Sequence, residues 1–280
     1  MKYFKKILII ILVFLFVLFV IGFIGFKHLQ KADPNKTFDE TRKEYNMGSC
    51  YNMQEDLCYY VIFIDDSESI WNEEEKDIFI NKKFLPTMDF LSRQASIYDT
   101  EISTDYKVCE KPVTYNGVME SETRENGGQY DILTQVAKSM GYKSHWEMTI
   151  KLKKELNVKQ IAYLIAVNKE GRSYKHVPPY GPFERPSEFC VFFSQSIGYT
   201  DTSCYSSIGH EILHLFGAED YYNSSLYPER NKLATELYPD DIMFATSDDI
   251  NKKNIGAYTA YSVGWLDELP EECNTENWWK

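Results

Sequence analysis

Ile7 to Phe26 is a run of 20 residues made only of apolar side chains and glycine. As a helix it rises about 30 Å, enough to cross the hydrocarbon core of a bilayer. The apolar part of a cleaved secretory signal is shorter, about 7–15 residues, and ends at a small-x-small site. The stretch GFIGFKHLQKADP has no convincing site of that kind, so a retained single span is expected. If the segment were cleaved, the remainder would be secreted. Lys2, Lys5 and Lys6 precede the span and favour residues 1–6 as a short cytoplasmic tail. The bulk of the chain is then extracytoplasmic, held to the cell membrane through residues 7–26.

All 42 Asp+Glu lie beyond residue 31, together with only 25 of the 30 Lys+Arg, which leaves residues 32–280 at −17. Such a surface argues against nucleic acid or an anionic membrane face as partner. Cys50, Cys58, Cys109, Cys190, Cys204 and Cys273 all follow the span. In an exported domain they allow up to three disulfides, with Cys50–Cys58 and Cys190–Cys204 the pairs nearest in sequence. No C-x-x-C occurs, so a thiolate zinc site is not indicated.

Residues 27–57 are polar and read as a stalk, with a folded domain at 58–280. CYYVIFID, KQIAYLIAVN and FCVFFSQ read as buried strands. Ser69 is a plausible N-cap for a helix that Pro86 should break or kink. Residues 102–118 look extended, and YDILTQVAKSMGY and SHWEMTIKLKKEL have helical spacing. Gly and Pro make 171–188 a loop, with His176 in it, and IGAYTAYSVGW reads as a core helix. The interleaving gives a mixed α/β (α+β) class.

HEILHLFGAED, His210 to Asp220, carries the chemistry. Thr202 or Ser203 can cap a helix from about Cys204 to Phe216, with Ile208, Ile212 and Leu213 on its apolar side. His210 and His214, four apart, project from one face and can meet one metal ion. Neutral imidazole suits zinc, and Glu211 is placed to act as a base on metal-activated water. Gly217 can end the helix in a left-handed conformation and turn Asp220, an oxygen donor, back toward the metal. Glu219 is less suited, because adjacent side chains point apart.

His210, Glu211, His214, Gly217 and Asp220 resemble the metzincin clan of zinc peptidases, H-E-x-x-H-x-x-G-x-x-H, in the variant that ends in Asp as in the snapalysin group. The resemblance implies a mixed twisted sheet with a zinc-binding helix in an N-terminal subdomain (58–217), and a mostly irregular and helical C-terminal subdomain (218–280). It also implies Met243, in DDIMFATSDD, as a tight turn beneath the metal. Ala245 stands where many members carry a tyrosine. A rival third ligand is Glu236, supported by Asp240 in a thermolysin-like arrangement.

The expected activity is hydrolysis of protein or peptide substrates by a zinc-dependent endopeptidase with Glu211 as general base. FCVFFSQ is a possible strand for edge pairing with substrate. Tyr221 and Tyr222 either pack below the site or meet substrate. The alternative class is an anchored binding or adhesion domain that keeps zinc for structure, which would have no need of Glu211.

Overall fold

The computed structural model describes residues 48–54, 56–120, 129–177, 187–196, 206–222, 228–247 and 249–273. The three apolar runs form the centre of one sheet as β1 (Leu57–Asp65), β4 (Gln160–Gly171) and β6 (Phe189–Ser196). Shorter strands are β2 (Tyr106–Val108), β3 (Val113–Thr114) and β5 (Tyr174–His176). The order is β2-β1-β4-β6-β5, with β3 also on β1. β1 pairs with β4 in parallel, from Leu57 opposite Gln160 to Ile64 opposite Val167, and β4 pairs in parallel with β6. β5 alone runs antiparallel, against β6. The chain is therefore mixed α/β with a mostly parallel sheet.

Side chains alternate across the sheet. Tyr59, Val61, Phe63, Leu164 and Phe192 face one side, and Tyr60, Ile62, Ile64, Tyr163, Ile165 and Val191 the other. Both sides are buried, which explains why the strands read as continuous apolar runs. Helices α3 (Gln129–Ser139) and α4 (His145–Leu156) cover the second face through Leu133, Val136, Met148 and Leu152. The first face is covered by the π-helical segment Phe79–Phe84 that follows α1 (Glu73–Ile78), and by α2 (Leu85–Ser96), α5 (Ser207–His214), α6 (Pro228–Leu237) and α7 (Ala257–Val263). Its core joins Leu57 to Cys273, so the division expected after Gly217 is bridged by shared packing.

Several local expectations shift. The first helix is capped at Asn72, not Ser69: Asn72 Oδ1 accepts the Glu75 N–H at 2.9 Å, and Glu75 Oε2 accepts the Asn72 N–H at 3.1 Å. Ser69 instead donates its N–H to Asp66 Oδ1 at 2.7 Å. Pro86 does not end the helix. A π-helical segment, Phe79–Phe84, precedes it and gives up regular pairing where proline lacks an N–H and its ring needs room. The loop expected at 171–188 contains β5.

Residues 48–54, expected within the stalk, are docked on the domain. Ser49, Cys50 and Met53 are buried, and the buried Glu188 carboxylate accepts the Ser49 N–H at 2.6 Å and hydroxyl at 2.5 Å. Those donors replace the water that a buried carboxylate loses. The expected span, residues 7–26, lies outside the described residues, among which no helix is long and apolar enough to cross a membrane. No disulfide forms among the described residues. Cys50 Sγ meets the Leu215 carbonyl at 3.7 Å and Cys58 Sγ the Tyr59 carbonyl at 3.8 Å, so these two do not pair. Cys204, half of the other expected pair, lies outside the described residues.

Candidate metal centre

Helix α5 is shorter than its apolar spacing suggested, Ser207–His214, and Thr202 and Ser203 lie outside the described residues. Ile208, Ile212 and Leu213 anchor it in the core. Gly209 lets it approach its neighbours closely: a Cβ there would stand 3.2 Å from Ile242 Cδ1 and 3.4 Å from Thr87 Cγ2. The turn that follows the helix closes at Gly217, whose φ of 107° is costly for any residue with a Cβ. The reversal carries Asp220 back over the two histidines.

His210 Nε2, His214 Nε2 and Asp220 Oδ1 form a triangle with all three edges at 3.2 Å. Donors bound tetrahedrally to one zinc ion at about 2.0–2.1 Å stand roughly 3.3–3.4 Å apart, so the three atoms match such an ion. The outer nitrogens fix which atoms face inward. His210 Nδ1 lies 3.0 Å from the Ile242 carbonyl and His214 Nδ1 2.6 Å from the Ala218 carbonyl. A carbonyl only accepts, so each Nδ1 carries the proton and each Nε2 presents a lone pair. Asp220 Oδ1 is buried with no hydrogen-bond donor. Two lone pairs and a carboxylate oxygen thus converge, an arrangement that a cation relieves at all three edges together. His210, Glu211 and His214 can also present one ligand atom each within 4.8 Å of one another.

The electrostatics agree. Burial opposes charge on His210, but the adjacent Asp220 carboxylate and the Glu211 charge outweigh it and push its pKa up. Burial, followed by the Lys175 charge, pushes His214 down to about 3. Burial also opposes the Asp220 carboxylate, yet the two imidazoles hold it well below the usual range.

A cavity of about 490 Å³ opens beside the triangle, lined by His210, Glu211, Tyr222, Arg172, Ser173 and Thr246 among others. The Tyr222 ring stacks on His210, with centroids 6.2 Å apart. Burial, then the Asp220 and Glu211 carboxylates, push its phenol pKa up, so it stays protonated. Tyr221 points the other way, is buried, and exchanges a 2.6 Å hydrogen bond with Thr259. The pair thus divides between the two roles considered for it.

Met243 is buried within the turn Asp241–Phe244, where the Phe244 N–H reaches the Asp241 carbonyl at 3.0 Å. Its carbonyl accepts the Tyr221 N–H at 3.1 Å, and Ile242, one residue earlier, supplies the carbonyl that orients His210. The turn is organised by buried Asp241, which accepts the N–H groups of Met243 at 2.7 Å and Gly256 at 2.6 Å. Glu219 pairs with the buried Arg230 of α6 and so turns away from the triangle. Glu236 is exposed on α6, Asp240 is exposed beyond it, and neither joins the group around His210. β6 is interior, between β4 and β5, so FCVFFSQ has no free edge for a substrate; the edge beside α5 belongs to β5.

Three contributors escaped sequence reasoning. Lys175 lies in a Gly- and Pro-punctuated stretch that reads as loop, and neither Arg230 nor Asp241 has a spacing that points to the site. The Tyr221–Tyr222 pair beside Asp220 carried a local signal. Comparison with protein families, with curated proteins and with solved structures found no match to this chain.

Proposed function

We propose that the protein is a membrane-anchored, extracytoplasmic zinc endopeptidase of metzincin type, with His210, His214 and Asp220 as ligands and Glu211 as general base. The observation that carries this reading is the 3.2 Å triangle of two imidazole nitrogens and one carboxylate oxygen beside an open cavity. Both nitrogens are oriented by backbone carbonyls, as metal-ligating histidines commonly are. The turn holding Met243, tied to His210 through Ile242, supports the clan assignment. The exposure of Glu236 counts against the thermolysin-like alternative.

Zinc supplies Lewis acidity in such a site, polarising a carbonyl and lowering the pKa of water. Glu211, on the cavity wall, takes the proton of the attacking water and returns it to the leaving amine. Tyr222, protonated and facing the same cavity, donates to the carbonyl oxygen as it gains charge.

The test is a peptide-library digest with the detergent-solubilised full-length chain and metal analysis of the same sample. One zinc per chain and cleavage abolished by Glu211→Ala are expected. Asp220→Ala should remove the zinc, while Glu236→Ala should retain it. Zinc at unit stoichiometry without any cleavage would move the reading to a zinc-stabilised binding domain, and the reverse pattern for Asp220 and Glu236 would overturn the ligand set.

A further inference from the structure

Lys175 is a feature of the centre that neither metal ligation nor the proposed reaction requires. Its ammonium nitrogen stands 2.9 Å from His214 Nδ1, 3.1 Å from His214 Nε2 and 3.8 Å from Asp220 Oδ2. Being nearly equidistant from the two ring nitrogens, it lies in line with neither the Nδ1–H bond nor the Nε2 lone pair. It is a charge set against the imidazole and the carboxylate, not the donor of one directed hydrogen bond. The strand fixes this location: Lys175 is the central residue of β5, opposite Cys190 of β6. Cys190 Sγ in turn meets the Glu211 carbonyl of α5 at 3.0 Å.

We propose that Lys175 is a built-in cationic antagonist of the metal, neutralising the metal-free centre and lowering its affinity for the ion. The inference rests on the zinc reading above and adds a residue that sets how tightly the ion is held. Without an ion, Asp220 is a partly buried carboxylate with the Lys175 ammonium 3.8 Å from its Oδ2. An ammonium there lets the chain fold with the site assembled before any metal arrives. With an ion present the same charge opposes it. Any ion on His214 Nε2 at about 2.0–2.1 Å lies within roughly 5 Å of an ammonium 3.1 Å from that nitrogen. Like charges at that separation repel by more than a tenfold factor in binding, even at the high effective dielectric of a partly exposed site. The side chain is 36% exposed, so it can swing toward water when the ion binds. That escape limits the penalty and leaves the site able to load.

The experiment compares the full-length chain in detergent with Lys175→Met and Lys175→Arg. Each is stripped of metal, titrated with zinc against a competing chelator, and melted in the metal-free and zinc-loaded forms. Lys175→Met should bind zinc at least tenfold more tightly, and its metal-free form should melt lower than that of the natural chain while its loaded form does not. Lys175→Arg, which keeps the charge, should stay close to the natural chain in both measurements. Equal zinc affinity in the natural chain and Lys175→Met, or weaker binding in the variant, overturns the proposal and leaves the zinc reading standing. Binding by neither, with His210→Ala as the reference for a destroyed site, overturns both.

Discussion

Replacing Arg230 with Met tests how Asp220, the third ligand of the proposed site, is held in place. Arg230 is fully buried, its guanidinium pairs with Glu219, and it lies 5.9 Å from the centre of the Tyr258 ring. Methionine keeps much of the apolar stem and removes the charge, stranding a carboxylate next to Asp220. Breaking a buried pair on one side costs about 3–5 kcal/mol. The Glu219 side chain is 29% exposed, so water recovers part of that, and a loss of about 2–3 kcal/mol is expected. For a domain of this size that lowers the melting midpoint by roughly 4–12 °C. Because Glu219 adjoins Asp220, zinc affinity should fall as well, by about 10–100-fold, as for other groups that orient a ligand. The assay is a double-mutant cycle with Glu219→Gln, read by thermal unfolding and by zinc competition. A coupling of about 1.5–3 kcal/mol is expected if the two act as a pair. A coupling below about 0.5 kcal/mol would mean that something else fixes the Glu219–Asp220 segment.

Three further outcomes follow from the same geometry. Gly217→Ala should cost about 1–2 kcal/mol, since φ is 107° there, and should weaken zinc binding because the reversal that delivers Asp220 is strained. Tyr222→Phe should leave zinc stoichiometry unchanged and lower kcat about 100-fold with little change in KM; an unchanged kcat would remove Tyr222 from the reaction. His176 packs on Phe189, with ring centroids 4.8 Å apart, and burial, then the neighbouring His145, push its pKa down to about 4. Between its unfolded pKa of about 6.5 and that value the unfolded chain binds more protons, so stability should fall as pH falls through this window. The loss reaches at most about 3 kcal/mol, and His176→Gln should flatten that part of the profile when unfolding is followed from pH 7 to 4.

What the sequence by itself determined was the local chemistry. His210, Glu211 and His214 share a helical turn, and 3.6-residue periodicity alone puts the two imidazoles on one side. Gly217 signalled the reversal because only its backbone tolerates the required φ, and Asp220 was in reach for the same local reason. The three central strands were legible because burial on both faces leaves an apolar run that few other elements resemble. Short strands were not: β5 has three residues, and its place rests on hydrogen bonds to β6, not on any pattern of its own. That Asp220 and not Glu236 lies beside the two histidines is also a matter of tertiary structure. Arg230 draws Glu219 away and leaves its neighbour facing the histidines, while Glu236 faces solvent. Lys175 and Tyr222 reach the centre from a sheet edge and a surface turn, 39 residues before His214 in one case and within the site's own reversal in the other. Contacts of that kind are set by how β5, α5 and the Asp241–Phe244 turn pack together. No spacing along the chain encodes them, so only the folded structure could decide which charges surround the triangle of His210, His214 and Asp220.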